Sequence, residues 1–103
     1  MIRAVFSGTT LQVQGHAGAA PHGQDLVCAA ASALVYALAQ RLTELHGGLE
    51  SPPQIRLKPG DAIISVLAKK GYEKTVEEDF RLICSGFKLL ESRYPQRVQV
   101  MKK

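Results

Sequence analysis

Tryptophan is absent from this chain of 103 residues, and cysteine appears only at Cys28 and Cys84. Two cysteines so far apart can form at most one disulfide. With no secretory signal they are expected as free thiols. The opening Met1-Ile2-Arg3-Ala4-Val5-Phe6 lacks the long apolar region of such a signal, so a cytoplasmic location is expected. No run of about eighteen apolar residues occurs, so no transmembrane helix is expected. G-x-S-x-G, P-loop and G-x-G-x-x-G motifs are all missing. Basic residues outnumber acidic ones, 13 to 9, but they are scattered from Arg3 to Lys103 with no interleaved aromatics. That spread describes a solvated basic surface and argues against a nucleic-acid reader. Weak attraction to an acidic partner or to RNA is the alternative.

What is present suits one domain over residues 1–103 with one modest core. Residues 2–6 and 10–14 read as strands, the second alternating polar and apolar with the period of a half-buried strand, and Ser7-Gly8-Thr9 between them has hairpin chemistry. Residues 17–23, Ala-Gly-Ala-Ala-Pro-His-Gly, oppose regular structure and read as a mobile loop. A long helix is predicted over residues 25–46, with Asp25 as N-cap. Leu26, Ala30, Ala33, Leu34, Ala37, Leu38, Leu42 and Leu45 form its apolar stripe. Gly47-Gly48 should end it with a residue of positive φ. Residues 54–58 and 62–70 read as strands around a turn at Pro59-Gly60-Asp61. Thr75-Val76-Glu77-Glu78 matches a capping box for a second helix reaching about Tyr94. Val76, Phe80, Ile83, Phe87 and Leu90 form the inner face of that helix. Residues 97–101 alternate again as a last strand. The order β-β-α-β-β-α-β predicts an α/β chain of the α+β type. Its two layers are two helices on one face of a mostly antiparallel five-stranded sheet.

The chemistry concentrates at Cys28. It falls in the predicted first turn of the long helix, where unsatisfied N–H groups and the helix dipole favour a thiolate. His16 lies twelve residues upstream, at a strand end, across the glycine-containing loop. A thiol, an imidazole within reach and early helix N–H groups facing an oxyanion would make a nucleophilic dyad. Asp25 is read as the helix cap, with orientation of His16 as the alternative. Ser32 lies one turn beyond Cys28 on the same face. The plainer reading of Cys28 is a small buried hydrophobe, and that of His16 a structural residue. Cys84, between Ile83 and Phe87, is read as core. His22 is a second candidate base. His16, His22 and Cys28 match no compact zinc spacing. His46 reads as a cation at the helix C-terminus.

Gly15-His16-Ala17-Gly18, then Gly23-Gln24-Asp25-Leu26-Val27-Cys28-Ala29-Ala30 and Ser32, resemble the signature of the ribosomal-processing cysteine protease (Prp) family. The likeness runs over essentially the whole chain. It implies a small bacterial cytoplasmic endopeptidase, homodimeric and without metal or organic cofactor. Its implied substrate is the precursor of the large-subunit ribosomal protein numbered twenty-seven in the L series, from which it removes an N-terminal extension. The resemblance further implies Cys28 as nucleophile and His16 as base, with Asp25 and Ser32 in support. It makes loop 17–23 a segment that orders over bound peptide. The chain departs from the pattern at Ala19-Ala20-Pro21-His22, where relatives carry a more tyrosine-rich or acidic stretch. The rival reading is a non-enzymatic ribosome- or RNA-associated binding module. A thiol redox sensor is a third, and it requires a resolving cysteine.

Overall fold

The computed structural model describes residues 1–21 and 23–103, and the side chain of His46 lies outside what it describes. Five strands and two long helices follow one another as β1 (Ile2–Ser7), β2 (Thr10–Gln14), α1 (Leu26–Glu44), β3 (Gln54–Lys58), β4 (Asp61–Ser65), α2 (Glu73–Arg93) and β5 (Val98–Lys102). The sheet order is β3-β4-β2-β1-β5. Three pairings are antiparallel and one, β1 with β5, is parallel. The predicted α+β class with a mostly antiparallel sheet is therefore what the chain adopts.

Alternation along each strand decides which side chains meet the helices. Ile2, Ala4 and Phe6 of β1, Leu11 and Val13 of β2, Ile64 of β4 and Val98 of β5 all point to one face and are buried. They join Val27, Ala31, Val35, Leu38 and Leu42 of α1 and Val76, Phe80, Ile83, Cys84 and Phe87 of α2 in one hydrophobic cluster. The Phe6 and Phe87 rings meet edge-on, 6.0 Å apart, and tie β1 to α2. Both helices thus cover the same face. The opposite face carries Arg3, Gln12, Gln14 and Arg56.

Several local expectations are corrected. The buried stripe of α1 is Val27, Ala31, Val35, Leu38, Ala39 and Leu42, whereas Leu26 is 81% exposed. This helix is apolar nearly all round, so periodicity alone does not select its inner face. Its mean hydropathy of 1.5 makes it apolar and long enough to cross a membrane by composition, contrary to the expectation. Here its inner stripe packs in the core of a two-layer domain, and core helices pass the same compositional test.

Neither Gly47 nor Gly48 has positive φ. The helix stops at Leu45, whose N–H donates to the Arg41 carbonyl, and a 3-10 turn follows at His46–Gly48. The Thr75 capping box does not form, because α2 starts two residues earlier, at Glu73, with Tyr72 at the cap position. Glu73 instead accepts the Gly71 N–H at 2.6 Å. Strand β4 ends at Ser65, short of the predicted residue 70, and Ala68 pairs only with Leu49, in an isolated antiparallel bridge outside the sheet's strands.

Candidate active site

Asp25 begins the site. It is the N-cap of α1, and one carboxylate oxygen accepts the N–H groups of Val27 and Cys28, each at 3.0 Å. The other oxygen accepts the Ala19 N–H at 2.8 Å. One buried side chain therefore starts the helix and fastens the preceding loop to it. The Cys28 N–H is the largest cause holding the Asp25 carboxyl below its ordinary 3.8. Burial opposes it, and the Ala19 and Ala20 N–H groups add to the lowering. Both oxygens are engaged with backbone, so the cap reading fits the geometry. Among the described residues Asp25 makes no hydrogen bond to His16.

With Asp25 as cap, Cys28 is the third residue of α1, in its first turn and half-buried. Its Sγ accepts the N–H of Ala17 at 3.3 Å. Helix-start N–H groups expected to face an oxyanion are instead occupied. Val27 and Cys28 donate to the Asp25 side chain, and Ala29 donates to its carbonyl at 3.0 Å. The donor aimed at the sulfur comes from the loop, a contribution that helix-capping logic did not supply.

His16 stands where β2 ends. Gly15 has φ +96, and a Cβ there would collide with the Met1 carbonyl oxygen, so the chain leaves the strand as only glycine permits. The Gly15 N–H donates to the Gly60 carbonyl at 2.9 Å. Gly60, with φ +72 in the turn between β3 and β4, lies under the exposed His16 ring. A Cβ on Gly60 would come within 2.5 Å of Nε2. The β3–β4 turn thus supports both the backbone before His16 and the imidazole itself, a role the sequence did not advertise.

His16 and Cys28 line one cavity of about 520 Å³, with Asp25 and the exposed Ser32 on its wall. Among the described residues the imidazole and the sulfur make no direct hydrogen bond. Val13, Val35, Leu57 and Ala62 supply apolar lining, and Tyr36 and Lys58 line it as well. The cavity opens onto a half-buried cysteine and an exposed imidazole, both part of its lining. Cys84 is buried at 5% exposure on the opposite helix, as the core reading requires. His22, the second candidate base and a member of the zinc alternative, lies outside the described residues, as does the His46 side chain.

Comparison with known proteins bears on the fold and the family. The chain is similar in structure to an essential ribosomal processing protease Prp from S. aureus in complex with a covalently linked product peptide. That match has a TM-score of 0.80 at 21% identity and covers 100% of both chains. The same S. aureus protease in complex with a substrate peptide matches with a TM-score of 0.76 at 19% identity, again over 100% of both chains. SMU.848 from Streptococcus mutans matches with a TM-score of 0.72 at 26% identity, over 100% of this chain and 96% of that one. Comparison with curated protein sequences finds no match. The sequence model described as cysteine protease Prp matches residues 1–99, nearly the full length. By that match, the chain belongs to the Prp family of cysteine proteases.

Proposed function

We propose that this protease works through a Cys28–His16 dyad on the N-terminal extension of a ribosomal protein precursor, the one numbered twenty-seven in the L series. One observation carries the assignment of the dyad. A sulfur in the first turn of α1 and an imidazole at the end of β2 line a single cavity together with apolar side chains. His16 turns from its rest on Gly60 and takes the thiol proton. Sγ attacks the scissile carbonyl and the carbon becomes tetrahedral. Collapse breaks the C–N bond, and the imidazolium returns its proton to the leaving amine. Water, deprotonated by His16, then hydrolyses the thioester and frees the sulfur. These steps require no metal and no organic cofactor.

Asp25 serves as a positioning residue by holding the first turn of α1 and the loop in one arrangement. Ser32 sits on the groove wall, one helical turn from the sulfur, where a peptide would pass. The substrate class is supported by family membership and by the ribosomal processing described for the S. aureus relative. Residues 1–103 act as one protease domain, working as a homodimer in the bacterial cytoplasm. Family likeness supports that arrangement, and the exposed Leu26 and Tyr36 on α1 supply apolar surface for a partner.

The test is incubation of the extended and the already trimmed ribosomal protein with wild-type and Cys28→Ala protein, read by intact mass. Wild-type protein should shorten only the extended form, and Cys28→Ala should leave it whole. If Cys28→Ala cleaves normally, the dyad is wrong. If wild-type protein binds the extended form without trimming it, the binding-module reading replaces this one.

A further inference from the structure

We infer that Arg97 is a positioning residue for the thiol chemistry, because its guanidinium holds the Ala17 peptide so that the Ala17 N–H stays on Cys28 Sγ. The inference rests on Cys28 being the nucleophile. Arg97 is eighty residues away in sequence from the loop it touches, and its Nη1 donates to the Ala17 carbonyl at 3.0 Å. The backbone of Arg97 is itself fixed. Its carbonyl accepts the Ile2 N–H at 2.8 Å, and its own N–H donates to the Tyr94 carbonyl at 2.9 Å. A side chain launched from so firm a base can hold what it grips. Among the described residues the guanidinium makes no ion pair, so its charge is directed at the loop.

Ala17 is the residue between the two partners of the site. It follows His16 directly, its N–H donates to the sulfur, and it is buried at 5% exposure. Its carbonyl therefore needs a partner, and a guanidinium donor makes a stronger hydrogen bond than a neutral one. Next comes Gly18, at φ +69, with Arg97 Nη1 lying 3.9 Å from where its Cβ would be. A glycine here lets the peptide swing unless something anchors it. Asp25 anchors the loop two residues later, through the Ala19 N–H. Arg97 and Asp25 together clamp the segment from both sides.

The donor so held matters because the helix start has little to offer. Val27, Cys28 and Ala29 spend their N–H groups on Asp25. Ala17 N–H, at 3.3 Å from Sγ, is the donor in place. A hydrogen bond to a thiolate favours the charged sulfur. Once Sγ has bonded to the scissile carbon, the oxyanion forms two bonds from the sulfur, and the same N–H is the donor to which it can turn. Among the described residues the Arg97 guanidinium makes no hydrogen bond to the sulfur, and it works through Ala17.

The experiment compares full-length wild type, Arg97→Met, Arg97→Lys and Cys28→Ala. Met keeps the length and removes the donor. Lys keeps a cation and a donor. Cleavage of the extended ribosomal peptide, iodoacetamide alkylation of Cys28 at pH 7, amide exchange at Ala17 and thermal unfolding are read at a temperature where every variant is folded. Arg97→Met should lose about tenfold in kcat with KM changed by less than about twofold. Its alkylation should slow severalfold, and the Ala17 amide should exchange faster. Arg97→Lys should recover most of the kcat and of the alkylation rate. Wild-type kcat and alkylation in Arg97→Met would overturn the inference. So would a kcat loss that tracks lost thermal stability and is not restored by Lys. Undiminished cleavage by Cys28→Ala would overturn the dyad itself, a result separable from the behaviour of Arg97.

Discussion

Cys28 and Cys84 are the same side chain in two helices of one domain, with different surroundings. Cys28 occupies the first turn of α1, half-buried, with a loop N–H on its sulfur and a cavity in front of it. Cys84 occupies the middle of α2, where every neighbouring N–H is already committed to the helix, and its side chain packs with Ile83 and Phe87. Helix position decides the contrast. The start of α1 sits where a loop converges on it. The donor on Cys28 Sγ is the Ala17 N–H of that loop, and the Val27, Cys28 and Ala29 N–H groups are spent on Asp25. A helix interior presents only a face to be packed. The two cysteines thus differ in access and in hydrogen bonding through where each sits on its helix, and access is what a reactive thiol requires.

Four experiments break or sharpen that contrast. Cys28→Ala should abolish peptide cleavage, a loss of at least about a thousandfold in kcat/KM, with an unchanged circular-dichroism spectrum. Residual cleavage near the wild-type level would make the two cysteines equivalent. His16→Ala should cost about a hundredfold or more in kcat. It should also slow iodoacetamide labelling of Cys28 while leaving Cys84 unlabelled in the folded protein, as peptide mapping would show. Cys84→Ala should retain wild-type turnover and lose about 1 kcal/mol of stability in urea unfolding. Loss of turnover at unchanged stability would place Cys84 in the chemistry after all.

The smallest effect concerns the cap beneath Cys28. The Asp25 carboxyl ionises below its ordinary 3.8 in the folded chain. Its contribution is therefore complete above that value and disappears as pH falls through the lower, folded one. Wild type should exceed Asp25→Asn in melting temperature at neutral pH, and the gap should close in strong acid. A gap independent of pH would show that the charge of Asp25 plays no part.

Much of this was legible in the chain. Alternation in residues 10–14 and 54–58, and more loosely in 97–101, marks strands, and Asp25 before a long apolar stretch marks the start of α1. The His16 and Cys28 motifs point to the site because both carry unusual chemistry near glycines. Other features leave no local trace. The inner face of α1 is ambiguous because both faces are apolar. Thr75 has the pattern of a cap, yet packing starts α2 at Glu73. Asp25 spends the helix-start donors that simple capping logic leaves free. Gly60 and Arg97 reach the site from distant parts of the chain, and contacts at such separation produce no periodicity or spacing to read.

The parallel pairing of β1 with β5 has a consequence for timing. Residues 2–6 lie beside residues 98–102, and the Ile2 N–H waits for the carbonyl of Arg97. A ribosome making this chain releases residues 16 to 28 well before it adds residue 97, whose side chain holds the Ala17 carbonyl. That grip therefore joins two segments made at different times, and it waits for β5 to pair with β1.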